Sequence, residues 1–509
     1  MQPLREEAII MSREDIHTTL EKIRMKGVWG QGILIGKWAR RRIYPLALAG
    51  MFLLIGAAFL TPMLLGVRAT SSEQFTSAGD WSTYGYDNAR DSFNAAETII
   101  TPSTAPLLKQ KWAHTGANGI SDEPSVVGGI VYWGSWDGFV HASSASNGAH
   151  VWSAFIGQTT DSACSPPRVG VASSPTVVSV NGQLDVFVGG GNANFYALNA
   201  STGSILWHTS LGSSPSAFIW DSPAVFNGSI YIGTSSFGDC PLIQSKFYQL
   251  NATTGAIQNT FNIVPGGCTG GGLWGSPTID ESTGNIFFAT GNTGSCGSTE
   301  IYTFALVELR SSNLSVVSSF QLPSNQHPGD SDFGSTPTLF TSSTGPRVGV
   351  ANKNGKYYAF DRTNIKGGAV WTDQVANGGD CPQCGSGSIS PSAWDGHNLY
   401  IGGGNTTISG SSCKGSVRKV NPDDGSYLWQ HCMGNGPVLG PVTATASGVV
   451  AASQSNTVIV MNASTSATVA RLHDNLTGSL LYGGPSISNG VLFVGNIDGN
   501  IYAYSPNGQ

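Results

Sequence analysis

Eight cysteines are the residues of this chain whose type most plainly could do chemistry, at positions 164, 240, 268, 296, 381, 384, 413 and 432. Thiolates bind metals, attack electrophiles or pair as disulfides, and spacing separates these cases. Cys381-Pro-Gln-Cys384 is the closest pair, and Gly385 follows it, so the Cys-x-x-Cys-His pattern that attaches c-type haem is missing. No second Cys-x-x-Cys accompanies it to complete a zinc site. An even count points to disulfides formed in an oxidising compartment. Cys381–Cys384 is expected as a tight loop disulfide, with Cys240–Cys268 and Cys413–Cys432 as local pairs.

The elements that must hold these residues outside the cytoplasm are at the start of the chain. Residues 43–67 carry no charge and are mostly apolar. Twenty-five such residues can cross a bilayer with some tilt. Lys37, Arg40, Arg41 and Arg42 precede the segment and only Arg68 closely follows it, so positive-inside logic puts residues 1–42 in the cytoplasm and the bulk outside. A cleaved signal peptide is the alternative, although a 42-residue leader is long for an n-region. No cysteine directly follows the segment, so a lipoprotein anchor has no support. Residues 1–42 hold nine Lys/Arg against five Asp/Glu, and the rest of the chain holds 16 against 26. That acidic balance argues against nucleic acid as a partner of the large domain.

The large domain is written in repeats. Only 11% of residues are charged and 67 are Gly, a balance that suits many short strands joined by tight turns. A phrase recurs over residues 130–509: a β-branched and aromatic run, a Gly/Asn/Asp turn, a second run, then Asn/Asp-x-x-x-Gly and often Trp. Val186-Phe-Val-Gly running through Tyr196-Ala-Leu-Asn-Ala-Ser-Thr-Gly203 to Trp207 is one of eight copies. One copy cannot bury both faces of its sheet, so stacked copies imply an all-β, eight-bladed β-propeller behind one transmembrane helix. The Trp residues are read as packing between blades. The last copy, around Leu492 to Tyr504, has no terminal strand of its own, and Leu108-Lys-Gln-Lys-Trp112 is expected to close the ring by pairing with it. The chain thus divides into a tail (1–42), a membrane helix (43–67), a Ser/Thr-rich linker (68–79) and a propeller (80–509).

The repeat phrase resembles the pyrroloquinoline quinone (PQQ) repeat. Residues 80–509 as a whole, beginning with Trp81-Ser-Thr-Tyr-Gly-Tyr-Asp-Asn-Ala-Arg90, resemble a quinoprotein alcohol dehydrogenase of the polyvinyl-alcohol-dehydrogenase-like branch. The resemblance implies a set of site residues. Lys353, opening Lys353-Asn-Gly-Lys-Tyr-Tyr-Ala-Phe-Asp-Arg362, matches the basic residue that reaches the quinone oxygens, where a cation favours the developing negative charge. Trp274 in Gly270-Gly-Gly-Leu-Trp-Gly-Ser-Pro277 matches the flat floor under the quinone. Asn292, 18 residues on, and Asp239 match Ca²⁺ ligands, although the family usually offers Glu where Asp239 stands. Asp332 in Gly329-Asp-Ser-Asp-Phe-Gly334 matches the catalytic base and metal neighbour, with Asp330 as the fallback. Arg168 lies near the family's grip on a PQQ carboxylate, at a different offset. The adjacent Cys-Cys disulfide and the haem domain of many relatives are missing, so an enzyme would need a separate electron acceptor. The expected function is a PQQ- and Ca²⁺-dependent oxidation of alcohols at the outer membrane face. The alternative is a non-catalytic propeller that binds protein or polysaccharide, since a fold does not fix a function.

Overall fold

Runs such as Ile130–Gly134 and Ser229–Gly233 are rich in β-branched and aromatic residues and buried along nearly their whole length. Such side chains suit a pleated surface covered on both faces. The computed structural model describes residues 77–326, 329–474 and 479–509 and folds these runs into eight sheets, each with four antiparallel strands, one of which also carries Phe93–Asn94 as a short fifth strand paired in parallel. Blades 1 to 7 span 125–155, 176–210, 224–262, 278–321, 338–374, 393–433 and 443–473. Blade 8 joins three strands of 486–506 to Leu108–Thr115, which pairs with Asn500–Pro506 from Leu108↔Pro506 to Thr115↔Asn500. The ring is therefore closed by the first long strand of the domain, as the repeat count requires. The expected tail, the membrane helix and residues 68–76 of the linker lie outside the described residues. Among the described residues no helix is long and apolar enough to cross a membrane.

First strands of successive blades touch all the way round, so they line the axis. The core lies between blades. Val127, Val140 and Trp152 of blade 1, for example, pack with Val177, Val186 and Leu198 of blade 2. A recurrent Trp locks five of the blades to the next. Trp152, Trp207 and Trp371 donate their Nε1–H to the carbonyls of Ala200, Ala252 and Pro422 in the following blade. Beside those carbonyls stand Gly203, Gly255 and Gly425, with φ of 70°, 72° and 75°. A Cβ there would come within 2.4–2.6 Å of the indole, so the Gly of the Asn/Asp-x-x-x-Gly phrase serves both the turn and the Trp that covers it.

The leading segment 79–94 stitches the ring together. Its backbone carbonyls at Ser82, Asn88, Ala89, Asp91 and Ser92 accept from Val177, Ile279, Leu339, Trp394 and Ala444, in five different blades. Trp81 bridges Val126 of blade 1, and the side chains of Asn88 and Asn94 reach blades 3 and 8. Arg90 is fully buried at the hub, donating Nε–H to the Pro277 carbonyl at 2.9 Å and an Nη2 hydrogen to the Pro223 carbonyl at 3.0 Å.

All eight cysteines are paired, as 164–240, 268–296, 381–384 and 413–432. The expected Cys381–Cys384 and Cys413–Cys432 bonds are present. The expected Cys240–Cys268 bond is not: Cys240 pairs with Cys164, 76 residues away, and Cys268 with Cys296. The reason is adjacency across the fold. A bridge between Gly270 and Thr293 brings Cys268 to Cys296. Cys164 meets Cys240 in an apolar cluster with Phe218 and Phe237.

Candidate active site in the central channel

A Pro opens the first strand of every blade, at 124, 175, 223, 277, 337, 391, 441 and 485. The residues just before these prolines face the axis. In five successive blades the residue immediately before Pro forms a hydrogen-bonded arc. Glu123 N–H donates to Ser174 Oγ, Ser174 N–H to Ser222 Oγ, Ser222 N–H to Ser276 Oγ and Ser276 N–H to Thr336 Oγ1, all at 2.8–2.9 Å. Each hydroxyl satisfies a buried amide of the neighbouring blade, which fixes the channel wall at polar but uncharged positions.

On this arc opens a cavity of about 430 Å³. Asp239, Trp274, Asn292, Asp332 and Lys353 all line it. They come from three blades. Asp239 follows the second strand of blade 3, Trp274 leads into blade 4, and Asn292 follows the second strand of blade 4. Asp332 leads into blade 5 and Lys353 follows that blade's second strand. Lys353 thus shares a blade with Asp332 and does not enter from the next one. The expected Arg168 is elsewhere: it is exposed, in a short ribbon opposite Thr160, and does not line the cavity. Its neighbours Ser165 and Pro166 do.

The centre of the site is a charge cluster. Lys353 Nζ donates to Asp332 Oδ2 at 2.9 Å and to Asp330 Oδ2 at 2.7 Å. It also sits 5.2 Å from the centroid of the Trp274 ring, in cation–π range. Burial pushes the Asp332 carboxyl up to about 7; Lys353 pulls it back and Asp330 pushes it further. Burial opposes the Lys353 charge, but Asp332 and Asp330 outweigh it and hold the ammonium protonated. Asp332 Oδ1 is buried with no hydrogen-bond partner, beside the backbone of Gly291. A buried carboxylate oxygen left open in this way costs stability unless something else uses it. Asp239, by contrast, is exposed and accepts from Ser236 Oγ at 2.7 Å.

These residues suit a hard cation by their donor chemistry: a buried oxygen without a partner on Asp332, a second carboxylate on Asp239 and an amide on Asn292. Among the described residues the only tight group of three is Cys268, Cys296 and Glu300, and those cysteines are a disulfide. A flat ring is suited by Trp274, whose indole lies against Gly334; a Cβ on Gly334 would be 2.2 Å from Trp274 Cη2.

Sequence reasoning missed several cavity residues: Tyr84 of the leading segment, Trp136, Trp220, Asp380 and the hydroxyl arc. The signal for the arc was present, because the Pro recurs at each first strand and the arc residues directly precede it.

An eight-bladed propeller with a polar, aromatic-floored cavity on its axis is the class these observations define. The chain belongs to the PQQ_2 family, described as outer membrane protein assembly factor BamB, whose model matches residues 108–261 and 331–509. It is 24% identical to the polyvinylalcohol dehydrogenase of Pseudomonas sp over 388 residues, covering 68% of this chain and 58% of that protein. It is 25% identical to the quinohemoprotein alcohol dehydrogenase of Comamonas testosteroni over 337 residues, covering 56% of this chain and 45% of that protein. The chain spans about half the length of these curated relatives. The crystal structure of quinohemoprotein alcohol dehydrogenase from Comamonas testosteroni matches with a TM-score of 0.67 at 19% identity, over 85% of this chain and 81% of that one. A likeness at that identity speaks for the fold.

Proposed function

We propose that the propeller is a PQQ- and Ca²⁺-dependent dehydrogenase that oxidises alcohols. The observation that carries this reading is the meeting of Asp239, Asn292, Asp332 and Lys353 with Trp274 in one cavity. PQQ bound there supplies a two-electron acceptor, and Ca²⁺ supplies positive charge beside it. Trp274 provides the apolar face that would hold a flat ring, and Gly334, with no side chain, leaves the indole room. Asp239 and Asn292 offer oxygens that would hold the ion, with Asp332 as its neighbour. Asp332 accepts the hydroxyl proton at its open Oδ1. A base whose pKa has been raised towards neutrality is suited to that step at neutral pH. Lys353 offsets part of the rise that burial imposes on Asp332 and orients its carboxylate through a 2.9 Å bond. Electrons would leave for a separate carrier.

The test is reconstitution of the purified chain with PQQ and Ca²⁺ and a dye-linked alcohol assay. Asp332→Asn is expected to abolish turnover while leaving PQQ binding largely intact, whereas Trp274→Ala is expected to weaken PQQ binding. If the reconstituted chain reduces dye with no alcohol, the scaffold reading replaces this one.

We also propose that residues 43–67 anchor the chain with the propeller outside the cytoplasm. Complete pairing of the eight cysteines supports an oxidising compartment. Protease added to intact cells is expected to release the propeller; protection of the whole chain would refute the orientation.

A further inference from the structure

The charges around the cavity are lopsided. Four carboxylates line it, on Asp122, Asp239, Asp332 and Asp380. Among the described residues lining it, Lys353 is the only Lys or Arg, and its ammonium is already shared between Asp332 and Asp330. Two of the four acids, Asp122 and Asp332, are 2% and 4% exposed, and each keeps a buried oxygen with no hydrogen-bond partner. No cationic side chain is left in the wall to receive an anionic substrate.

The same wall is aromatic. Trp136 and Trp220 are only partly buried and line the cavity together with Trp274. Both are held rigidly. Trp136 donates its Nε1–H to Ser121 Oγ at 2.9 Å. Trp220 donates to the Ser236 carbonyl at 3.1 Å and lies parallel to Phe237, with centroids 6.2 Å apart. Both indoles pack against one apolar cluster that holds Phe218, Phe237 and the Cys164–Cys240 disulfide. The loop closed by Cys381–Cys384 also lines the cavity and contributes Pro382, Gln383 and Asp380, an exposed residue. Asp332 is paired with Lys353, burial raises the Asp122 carboxyl well above the usual carboxylate range, and Asp239 is given to the ion, so the exposed Asp380 is the carboxylate left over. Fixed indole faces beside such a carboxylate are the chemistry that recognises an organic cation.

We infer that this cavity selects alcohols that carry a positive charge, of the quaternary or tertiary amino-alcohol class, over neutral and anionic ones. The indoles of Trp136 and Trp220 meet the alkyl-ammonium group, and Asp380 supplies charge. Turnover of such an alcohol rests on the dehydrogenase reading above; recognition of the cation does not.

Choline and 3,3-dimethylbutan-1-ol test this, because they share a shape and differ by one charge. The chain loaded with PQQ and Ca²⁺ is assayed with both and with 3-hydroxypropanoate, and binding of the first two is measured by calorimetry. Choline is expected to lead its neutral isostere by about tenfold in kcat/KM and in affinity, with the lead shrinking as salt is raised. The anion is expected to be the poorest substrate. Asp380→Asn is expected to cut the choline lead about threefold, while Asp424→Asn, on an exposed turn of blade 6, leaves it in place. Oxidation of the isostere with no preference for choline overturns the inference and leaves the dehydrogenase reading standing. Preferential binding of choline without turnover of any alcohol does the reverse. Equal or absent binding of both probes overturns the inference whatever the activity.

Discussion

Replacing Glu123 by Gln tests how the channel wall is held together. Glu123 is fully buried, and its Oε2 accepts from Gly85 N–H at 2.6 Å and from Trp81 Nε1–H at 3.2 Å. Its Oε1 has no partner. Burial pushes its pKa from 4.5 up to about 7, although both donors and the Arg90 guanidinium pull the other way. A carboxyl raised in the folded state is held protonated there while the unfolded chain has already lost its proton. Stability is therefore unaffected by this group below about pH 4.5, falls as pH rises towards 7, and carries the full penalty above 7. A shift of roughly 2.5 units at 1.36 kcal/mol each gives a penalty of about 3 kcal/mol. Glu123→Gln keeps a carbonyl for Gly85 and Trp81, places an amide where Oε1 was, and does not titrate. Urea midpoints at pH 5 and pH 8 for both proteins isolate the effect. The variant is expected to lie within about 1 kcal/mol of the parent at pH 5 and to exceed it by up to about 3 kcal/mol at pH 8. A difference between parent and variant that does not grow between pH 5 and pH 8 would refute the assignment of a strained buried acid.

Two further outcomes are expected. Gly334→Ala places a methyl 2.2 Å from Trp274 Cη2, so the indole must move; overpacking of this kind costs about 1–3 kcal/mol, and PQQ binding, read by fluorescence titration, is expected to be lost while the circular dichroism of the sheets stays. Ser276→Ala removes the acceptor of the Ser222 amide at 2.9 Å and is expected to lower stability by about 1–3 kcal/mol in denaturant titration, in contrast to the exposed Ser426→Ala, which is expected to change little.

The architecture was legible because its forces act locally and repeat. A Trp that must cover the turn of the next blade leaves a Trp and a Gly at matching places in copy after copy, and the closing strand could be found because Leu108–Trp112 resembles the strand the last copy lacks. The site residues that belong to motifs, Lys353 and Trp274 among them, came to one cavity for the same reason: the ends of second strands and the starts of first strands gather at one end of a propeller. What escaped depends on contacts between distant segments. Cys164 and Cys240 are separated by a whole blade in sequence, and only the folded ribbons bring them together, so pairing by sequence distance chose Cys268 instead. Arg168 was placed by its nearness to a motif, and an offset of a few residues moved it onto an exposed ribbon. Ser174, Ser222, Ser276 and Thr336 read as loop residues before a Pro, because nothing in one repeat shows that its hydroxyl serves the amide of another.

The chemistry of this propeller is written where its repeats disagree. Three residues before the first-strand Pro, the eight blades carry Ser121, Ala172, Trp220, Trp274, Gly334, Ser388, Val438 and Tyr482. The fold makes these positions equivalent, yet it cannot fill them alike, because eight large side chains would collide on the axis. Trp274 and Gly334 show the rule. They occupy the same place in adjacent blades, and the indole of one lies where the side chain of the other would be. A broad aromatic floor in blade 4 therefore requires an empty position in blade 5. The space so freed lets the segment before Gly334 bring Asp332 and Asp330 to Lys353, 5.2 Å from that floor. The symmetry of the blades supplies the wall and its hydroxyl arc. The pairing of a Trp with a Gly breaks that symmetry in one direction, and the charged side chains gather on the side it opens.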